Sequence, residues 1–312
     1  MALDIPGLSD AELQRALKQL TSLPKHEQIE LDRMLVELEK VKSIEKSQDT
    51  FLDFVNHVYP GYKVGKHHAR LAKIFEDIAN GKKKRVIVNI APRHGKSELI
   101  SYLAPAWFLG KHPDKKVIMA SHTADLAVNF GRRVRNLVGS DPYKEIFPDV
   151  ELQSDSKSAS RWGTNYQGEY FAIGVGGALA GRGADLFIID DPHSEQDAKL
   201  GKPEVFLPAW EWFQSGPIQR LMPGGAIIVV MTRWSKLDLT GQIVNQMVKN
   251  DEVDDWEIVE FPAIIEDKHG EEKALWPEFW PLEELLSKKA ALDVRYWNAQ
   301  YMQNPTSEEG AL

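Results

Sequence analysis

The 312 residues are 43% hydrophobic, 27% charged and 9% aromatic, proportions that exclude collagen-like, fibrous and intrinsically disordered classes. There is no cysteine, so a disulfide framework and thiolate metal sites are excluded and His and carboxylates remain as the strong ligands. The formal charge of −8 is unevenly spread, with ten acids against two bases over 251–273 and twelve Lys/Arg against three acids over 81–135; such a basic block either meets the phosphates of a nucleotide or DNA, or forms solvated helix faces.

No window holds 18 consecutive apolar residues, and MALDIPGLSDAEL carries acids where a signal peptide needs a cationic start. No membrane association and a cytosolic location are therefore expected. Residues 1–48 form a helical extension of two helices. Ser9 and Glu12 give the first a capping box, and Pro24 separates them. Leu31, Met34, Leu35, Leu38 and Val41 make one apolar stripe on the second, for packing on the main domain or docking another subunit. Residues 49–262 alternate β-branched runs with helical segments, the pattern of an α/β core with a mainly parallel sheet. Predicted strands are Arg85–Ile90, Lys116–Ser121, Tyr170–Val175, Leu186–Asp190, Ala226–Met231 and Glu257–Phe261. Predicted helices are Lys96–Leu109, kinked at Pro105; Ala124–Val138, opened by Thr123; a Trp-rich segment near Glu204–Phe213; and Leu239–Lys249, opened by Asp238. Residues 263–312 read as an acidic, aromatic segment with helices at Leu282–Leu292 and Val294–Gln303, ending in polar linker text after Asn304-Pro305. In an open sheet of this kind, ligands bind at the C-terminal ends of the strands.

The sharpest motif is RVIVNIAPRHGKSELI, a strand, a short loop, then Gly95-Lys96-Ser97 opening a helix. Gly95 allows the turn that converges amide N–H groups on phosphate oxygens, Lys96 brings a point charge to the β- and γ-phosphates, and the Ser97 hydroxyl can ligate Mg²⁺. The loop departs from the usual pattern, because Ile90 stands where a glycine is expected. Arg93 inside it either reaches the γ-phosphate or faces solvent or DNA. Farther on, LFIIDDPH delivers Asp190 and Asp191 from a hydrophobic strand, placing Asp190 to hold Mg²⁺ and Asp191 to orient water. Because Asp191 is one methylene shorter than a glutamate, Glu195 competes for that second role. Before this strand, GVGGALAGRGAD places Arg182 between two glycines, on a loop read as lying near the nucleotide edge, where a neighbouring subunit's ATP can receive it; the glycines otherwise serve a tight crossing of the sheet. Thr232, at the end of AIIVVMTRW, is either a hydrolysis sensor or a polar strand end. No HExxH, no G-x-S-x-G elbow and no GxGxxG after the first strand is present, which argues against zinc hydrolase, serine hydrolase and dinucleotide-binding readings.

Together, APRHGKSELIS, ASHTADLAVNFGRRVR, GRGADLFIIDDP, VMTRWSKLDLTG and ALWPEFWPLEELLSKKAALDVRYWNAQYMQNPTSEEG resemble the ATPase domain of the large terminase subunit of tailed bacteriophages over about residues 50–310. The resemblance implies a RecA-like P-loop NTPase fold of the additional-strand type and a Mg²⁺-dependent ATPase that moves double-stranded DNA. The implied partners are a portal protein and a small terminase subunit, and the implied setting is a homo-oligomeric ring in the cytoplasm of an infected bacterium. It makes Arg93, His94, Gly95, Lys96, Ser97 and Glu98 the phosphate-binding segment, with Ser97 and Asp190 on Mg²⁺ and Asp191 the catalytic acid. It places Thr232 in the coupling motif, makes Arg182 a trans-acting finger, and puts Tyr62, His67 and His68 in the adenine-contacting segment. Large terminases also carry a C-terminal nuclease; the text stops at Glu308–Leu312, about where that domain would begin, so DNA cleavage is not expected of this chain. Two rival readings are a helicase-like translocase, for which a second RecA-like domain is needed, and a nucleotide-controlled docking module that hydrolyses little.

Overall fold

A computed structural model describes residues 24–155, 158–200, 202–250 and 252–306. The chain divides into two compact units between Lys46 and Ser47. In the first, the described residues from Lys25 onward belong to the helix Lys25–Asp49, and Met34, Leu35, Leu38 and Val41 of the predicted apolar stripe are exposed. The capping box at Ser9 and Glu12 and the tail after Thr306 lie outside the described residues.

The second unit is built on seven strands: β1 (Arg85–Ile90), β2 (Lys116–Ser121), β3 (Arg161–Gly163), β4 (Glu169–Gly174), β5 (Ala184–Asp190), β6 (Leu221–Met231) and β7 (Glu257–Phe261). Their order is β3-β4-β2-β5-β6-β1-β7, and every pairing is parallel except that of β3 with β4. The sheet is the mainly parallel α/β sheet expected. β3 was not predicted, because three residues are too few to show a two-residue period.

Side chains alternate between two apolar layers, as strands buried on both faces require. Val86, Val88 and Ile90 of β1 join Leu71, Phe75, Trp107 and Phe130 on one face, while Ile87 joins Phe187, Trp212, Phe213 and Ile243 on the other. Parallel register carries the C-terminal ends of β1, β2, β4, β5 and β6 to one edge, since Ser121 lies beside both Gly174 and Asp190, and Asn89 beside Met231.

The helix after β1 differs from the kinked α-helix expected. A wide π-helical turn occupies Glu98–Leu103 before the α-helix Ala104–Lys111. Pro105 has no N–H to return to the Ser101 carbonyl, and the wider turn absorbs that loss. It also aims Ser101 at the sheet edge, where its hydroxyl donates to Asp190 Oδ2 at 2.7 Å.

Beyond β7, residues 263–306 add a hairpin, β8 (Ile264–Glu266) with β9 (Glu272–Ala274). The helix Leu282–Ala291 follows, then a helical turn at Val294–Tyr296 that runs into a π-helical turn at Trp297–Tyr301. A small core of Ala263, Ile264, Ala274, Leu285 and Trp297 closes around Ala91, the first residue after β1. The C-terminal segment is thereby fixed against the loop that carries Lys96.

The charge polarity has an internal use. Glu257 pairs with Lys83, and Asp254 Oδ2 lies 2.6 Å from Arg85 Nε. The acidic stretch therefore meets the start of the basic block, rather than being only a solvated face. Exposed pairs of this kind contribute about 0–1 kcal/mol each, so their main effect is to cancel basic charge at this end of β1.

Candidate active site

The loop Ala91–Gly95 leaves β1 through two left-handed residues, Arg93 (φ 60°) and Gly95 (φ 81°). Gly95 is required twice over. Its positive φ suits glycine, and a Cβ there would stand 2.3 Å from His68 Nε2. Two buried histidines hold the loop from behind: His67 and His68 each donate Nε2–H to the His94 carbonyl at 3.0 Å, while the His68 Nδ1 accepts the Gly65 N–H at 2.9 Å. His94 itself is turned inward, donating Nδ1–H to the Pro92 carbonyl at 2.8 Å. These three histidines brace the loop 91–95 from within and are not among the side chains lining the cavity beside it.

Burial disfavours the charged form of all three. It pushes His67 down to about 4, with the His94 carbonyl partly opposing, and His68 down to about 3, where the neighbouring His67 adds to the effect. His94 is lowered by burial and then by Lys96. For His67 and His68 the unfolded chain takes up the proton near pH 6.5 and the folded chain only well below it, so between those values the unfolded state binds more protons and stability falls as pH falls. Each such group adds a slope of up to about 1.4 kcal/mol per pH unit. The melting temperature is expected to drop steadily from pH 7 to pH 5. His68→Gln should flatten that dependence, whatever it does to stability at pH 7; an unaltered slope in thermal scans would remove the neutral-histidine account.

At the sheet edge, Lys96 Nζ lies 2.6 Å from Asp191 Oδ2. Burial works against the ammonium, but Asp191 and then Asp190 outweigh it and hold Lys96 above its ordinary range. Asp191 has φ 43°, a sparsely populated conformation for a non-glycine residue. It persists because the Asp191 N–H donates to the Val230 carbonyl, its Oδ1 accepts the Thr232 N–H at 3.0 Å, and its carbonyl accepts the His122 N–H. Asp190 points to the other side, its Oδ2 accepting from the Ser101 hydroxyl at 2.7 Å, with Ser97 close enough to favour its charged form. Its Oδ1 is buried with no partner. Burial first, and Asp191 second, raise Asp190 to about 6 despite Lys96 and the two serines. A buried carboxylate oxygen with nothing to accept, beside a serine hydroxyl at a helix start, gives two oxygen donors of the kind that could hold a hard divalent cation.

Two cavities flank Lys96, and Arg93 lines both. One, of about 350 Å³, is bounded by Tyr62, Arg93, Gly95 to Glu98, Trp276 and Phe279. The other, of about 460 Å³, is bounded by Asp191, Glu195, Thr232, His122, His193 and Gln300 among others. Glu195 faces the second cavity while pairing with Lys199 at 2.5 Å. Thr232 faces it too, its hydroxyl donating to the Ile90 carbonyl at 3.0 Å. Glu98 pairs at 2.5 Å with Arg133, whose guanidinium lies 4.0 Å from the Tyr102 ring centre.

Arg182 is elsewhere. It pairs with Glu169 at 3.1 Å and lies over Phe171 at 3.7 Å, beside the cavity that Lys116 also lines. Glu169 and Lys116 open β4 and β2, so Arg182 sits toward the end of the sheet opposite the loop 91–95, contrary to the expectation that its loop lies at the nucleotide edge. The Gly-rich loop before β5 turns back along the sheet, a reversal that motif spacing does not register.

The aromatic wall was not found from sequence. Trp280 Nε1 donates to the Arg93 carbonyl at 3.1 Å, and Trp276 packs on His68 at 4.6 Å between ring centres. The density of ALWPEFWP was visible, but nothing local states that it folds back roughly 180 residues in sequence onto the loop.

Residues 87–202 match the family model described as "Terminase large subunit, T4likevirus-type, N-terminal". No curated protein matches. Among solved structures, the chain is similar to an arginine mutant of the large terminase ATPase domain of Thermus phage P74-26, with a TM-score of 0.51 at 15% identity, covering 79% of this chain and 96% of that one. The HK97 bacteriophage large terminase gives 0.49 at 15% identity, covering 77% of this chain and 50% of that one. The large terminase from a thermophilic bacteriophage, in complex with ATP-gamma-S, gives 0.45 at 10% identity, covering 76% and 52%. The chain thus spans about half the length of the latter two proteins. The family match bears out the resemblance to the large terminase subunits, and the likeness to the P74-26 domain shows the RecA-like fold.

Proposed function

We propose that this chain is the Mg²⁺-dependent ATPase of a viral genome-packaging motor, coupling ATP hydrolysis to translocation of double-stranded DNA into a prohead. The observation that supports it best is the meeting of Lys96, Ser97, Asp190 and Asp191 at one sheet edge, with Lys96 and Asp191 2.6 Å apart. Ser97 and the free Oδ1 of Asp190 would hold Mg²⁺, which when bound neutralises charge on the phosphates. The phosphates lie against the amides of the loop, and Lys96 turns from Asp191 toward them. Asp191, released from the lysine but still held by the Thr232 N–H, orients the attacking water. Glu195, already engaged by Lys199, is the second candidate for that role. Arg93, between the two cavities, stabilises charge on the transferred phosphoryl group, and Thr232 relays the state of the γ-phosphate to the segment that follows it. Copies assembled as a ring around DNA on a portal, with a small terminase subunit, would act in the cytoplasm of the infected host. In such a ring Arg182, remote from its own loop, meets nucleotide only across a subunit boundary.

Mg²⁺-ATP hydrolysis by the purified chain across a range of protein concentrations tests this reading. Lys96→Ala is expected to lower turnover at least ~100-fold. Turnover rising more steeply than protein concentration supports an arginine supplied by a neighbour, and strict proportionality favours Arg93 acting within one chain. Nucleotide binding without turnover at any concentration would overturn the motor assignment in favour of a docking module.

A further inference from the structure

The Asp190 carboxylate has three neighbours able to bond it, and the fold uses the least obvious one. Ser121 lies beside it in the parallel register of β2 and β5, yet the Ser121 Oγ is buried with no partner and does not bond it. Lys96 carries its ammonium to Asp191 Oδ2 instead. Asp190 Oδ2 is met by the hydroxyl of Ser101, 89 residues away in sequence, at 2.7 Å. Ser101 is fully buried, and Leu99, Ile100, Leu103 and Ala104 around it in the chain are buried as well. A hydroxyl in so apolar a run requires a partner, since buried polar groups almost always have one.

The backbone is reshaped where that hydroxyl is delivered. At the end of the turn Glu98–Leu103 the Ala104 N–H returns to the Leu99 carbonyl, five residues back, where an α-helix would return it four back, to Ile100. The wider turn changes which side chains face the sheet, and single π-turns within helices are frequent at functional sites. Ser97 stands immediately before the same turn. One short segment therefore carries two hydroxyls to Asp190, Ser97 close to the carboxylate and Ser101 on Oδ2, while Oδ1 is left buried with no partner.

We propose that Ser101 is a positioning residue for Mg²⁺, acting through Asp190: it pins Oδ2 so that Oδ1 stays available as the cation's ligand. The physical need is competition. The terminal torsion of an aspartate has broad wells, and the Lys96 ammonium lies 2.6 Å from the adjacent Asp191. An unheld Asp190 carboxylate turned toward that ammonium is lost to the cation, and it holds Lys96 back from the phosphates. A serine hydroxyl suits the task, because it satisfies one oxygen of the anion without bringing a positive charge that would repel a divalent cation. Hydrogen-bond partners behind ligating carboxylates tune metal affinity in this way. The inference rests on the Mg²⁺-ATPase reading given above, and it assigns a role to a residue outside Gly95-Lys96-Ser97 and outside the acidic pair.

The test measures binding of a non-hydrolysable ATP analogue by calorimetry on the full chain, once with excess Mg²⁺ and once with a chelator, and takes the ratio of the two affinities. Ser101→Ala and Ser101→Cys, the second close to serine in size but a weak donor, are each expected to cut that ratio about tenfold, the size of a lost partner behind a metal ligand. Affinity in chelator is expected to stay unchanged, since the loop and Lys96 are untouched. Asp190→Asn separates the inference from the reading beneath it. If Asp190→Asn leaves the ratio unchanged, the metal site itself is wrong and the role of Ser101 goes with it. If Asp190→Asn removes the Mg²⁺ effect but both Ser101 variants keep the wild-type ratio, whether by changing neither affinity or by changing both alike, the positioning role is overturned and the metal site stands.

Discussion

Replacing Asp190 with Asn is expected to abolish Mg²⁺-ATP hydrolysis while raising the melting temperature at pH 7. Asp190 is 2% exposed, one of its oxygens has no partner, and burial together with Asp191 raises it to about 6. In the unfolded chain the carboxyl ionises near 4, so at pH 7 the folded state alone bears the cost of a desolvated charge. Between those two values the folded state binds the extra proton, and stability from this group is gained as pH falls through about 6, opposite in sign to the histidines. Asparagine removes the charge, keeps the shape, and leaves Lys96 paired with Asp191. A gain of about 1–2 kcal/mol is expected. A local cost retained at a reactive position is the usual trade of stability for function. Thermal scans and a turnover assay decide it: near-normal hydrolysis by Asp190→Asn would sink the metal role, and a lower melting temperature would sink the account of a strained carboxylate.

The parts of this arrangement legible in sequence are those whose signal is local. β1, β2 and β7 follow from short β-branched runs, and the helices Ala124–Val138 and Leu239–Lys249 from their caps Thr123 and Asp238, whose side chains accept from Leu126 N and Gly241 N. Lys96 and Ser97 follow from a strand–loop–helix text, and the pair Asp190-Asp191 from an apolar run ending in acids. What escaped depends on contact between distant segments. The π-helical turn at Glu98–Leu103 reflects Pro105 together with the demand that Ser101 reach Asp190, 89 residues away. The resemblance put the two histidines at 67 and 68 in an adenine-contacting segment, yet both are spent on one carbonyl. Arg182 looked free between glycines, and its partners Glu169 and Phe171 become neighbours only once β4 is placed at its level in the sheet. Trp276 and Phe279 lie in a segment that shares in the resemblance but was given no role, and only the packing of 263–306 around Ala91 brings them to the loop.

The largest stability loss from a single change outside the cavity is expected at Asp238. The segment leaving β6 turns sharply after Thr232, and Asp238 holds the turn: its Oδ1 accepts from Arg233 Nε and the Gly241 N–H, and its Oδ2 from Arg233 Nε and the N–H groups of Trp234 and Ser235. Asp238 is fully buried and Arg233 is 8% exposed. Removing the carboxylate strands a nearly buried guanidinium, three backbone donors and the helix start in one step, and breaking a buried ion pair in this way costs about 3–5 kcal/mol. Asp238→Asn is expected to be almost as damaging as Asp238→Ala, because whichever oxygen becomes an amide then faces donors. That equivalence separates this account from simple loss of a helix cap, which Asn serves about as well as Asp. For a chain of this size the fall in melting temperature is on the order of 10 °C. The same turn fixes the Thr232 N–H on Asp191 and the Thr232 hydroxyl on the Ile90 carbonyl. Hydrolysis measured well below the new melting temperature should therefore fall as well, with nucleotide affinity largely retained, since Lys96 and the loop are untouched. If Asn preserved stability, the buried ion pair would be incidental and the cap alone would account for Asp238; if turnover survived the loss of the turn, Thr232 would be no more than the polar end of a strand.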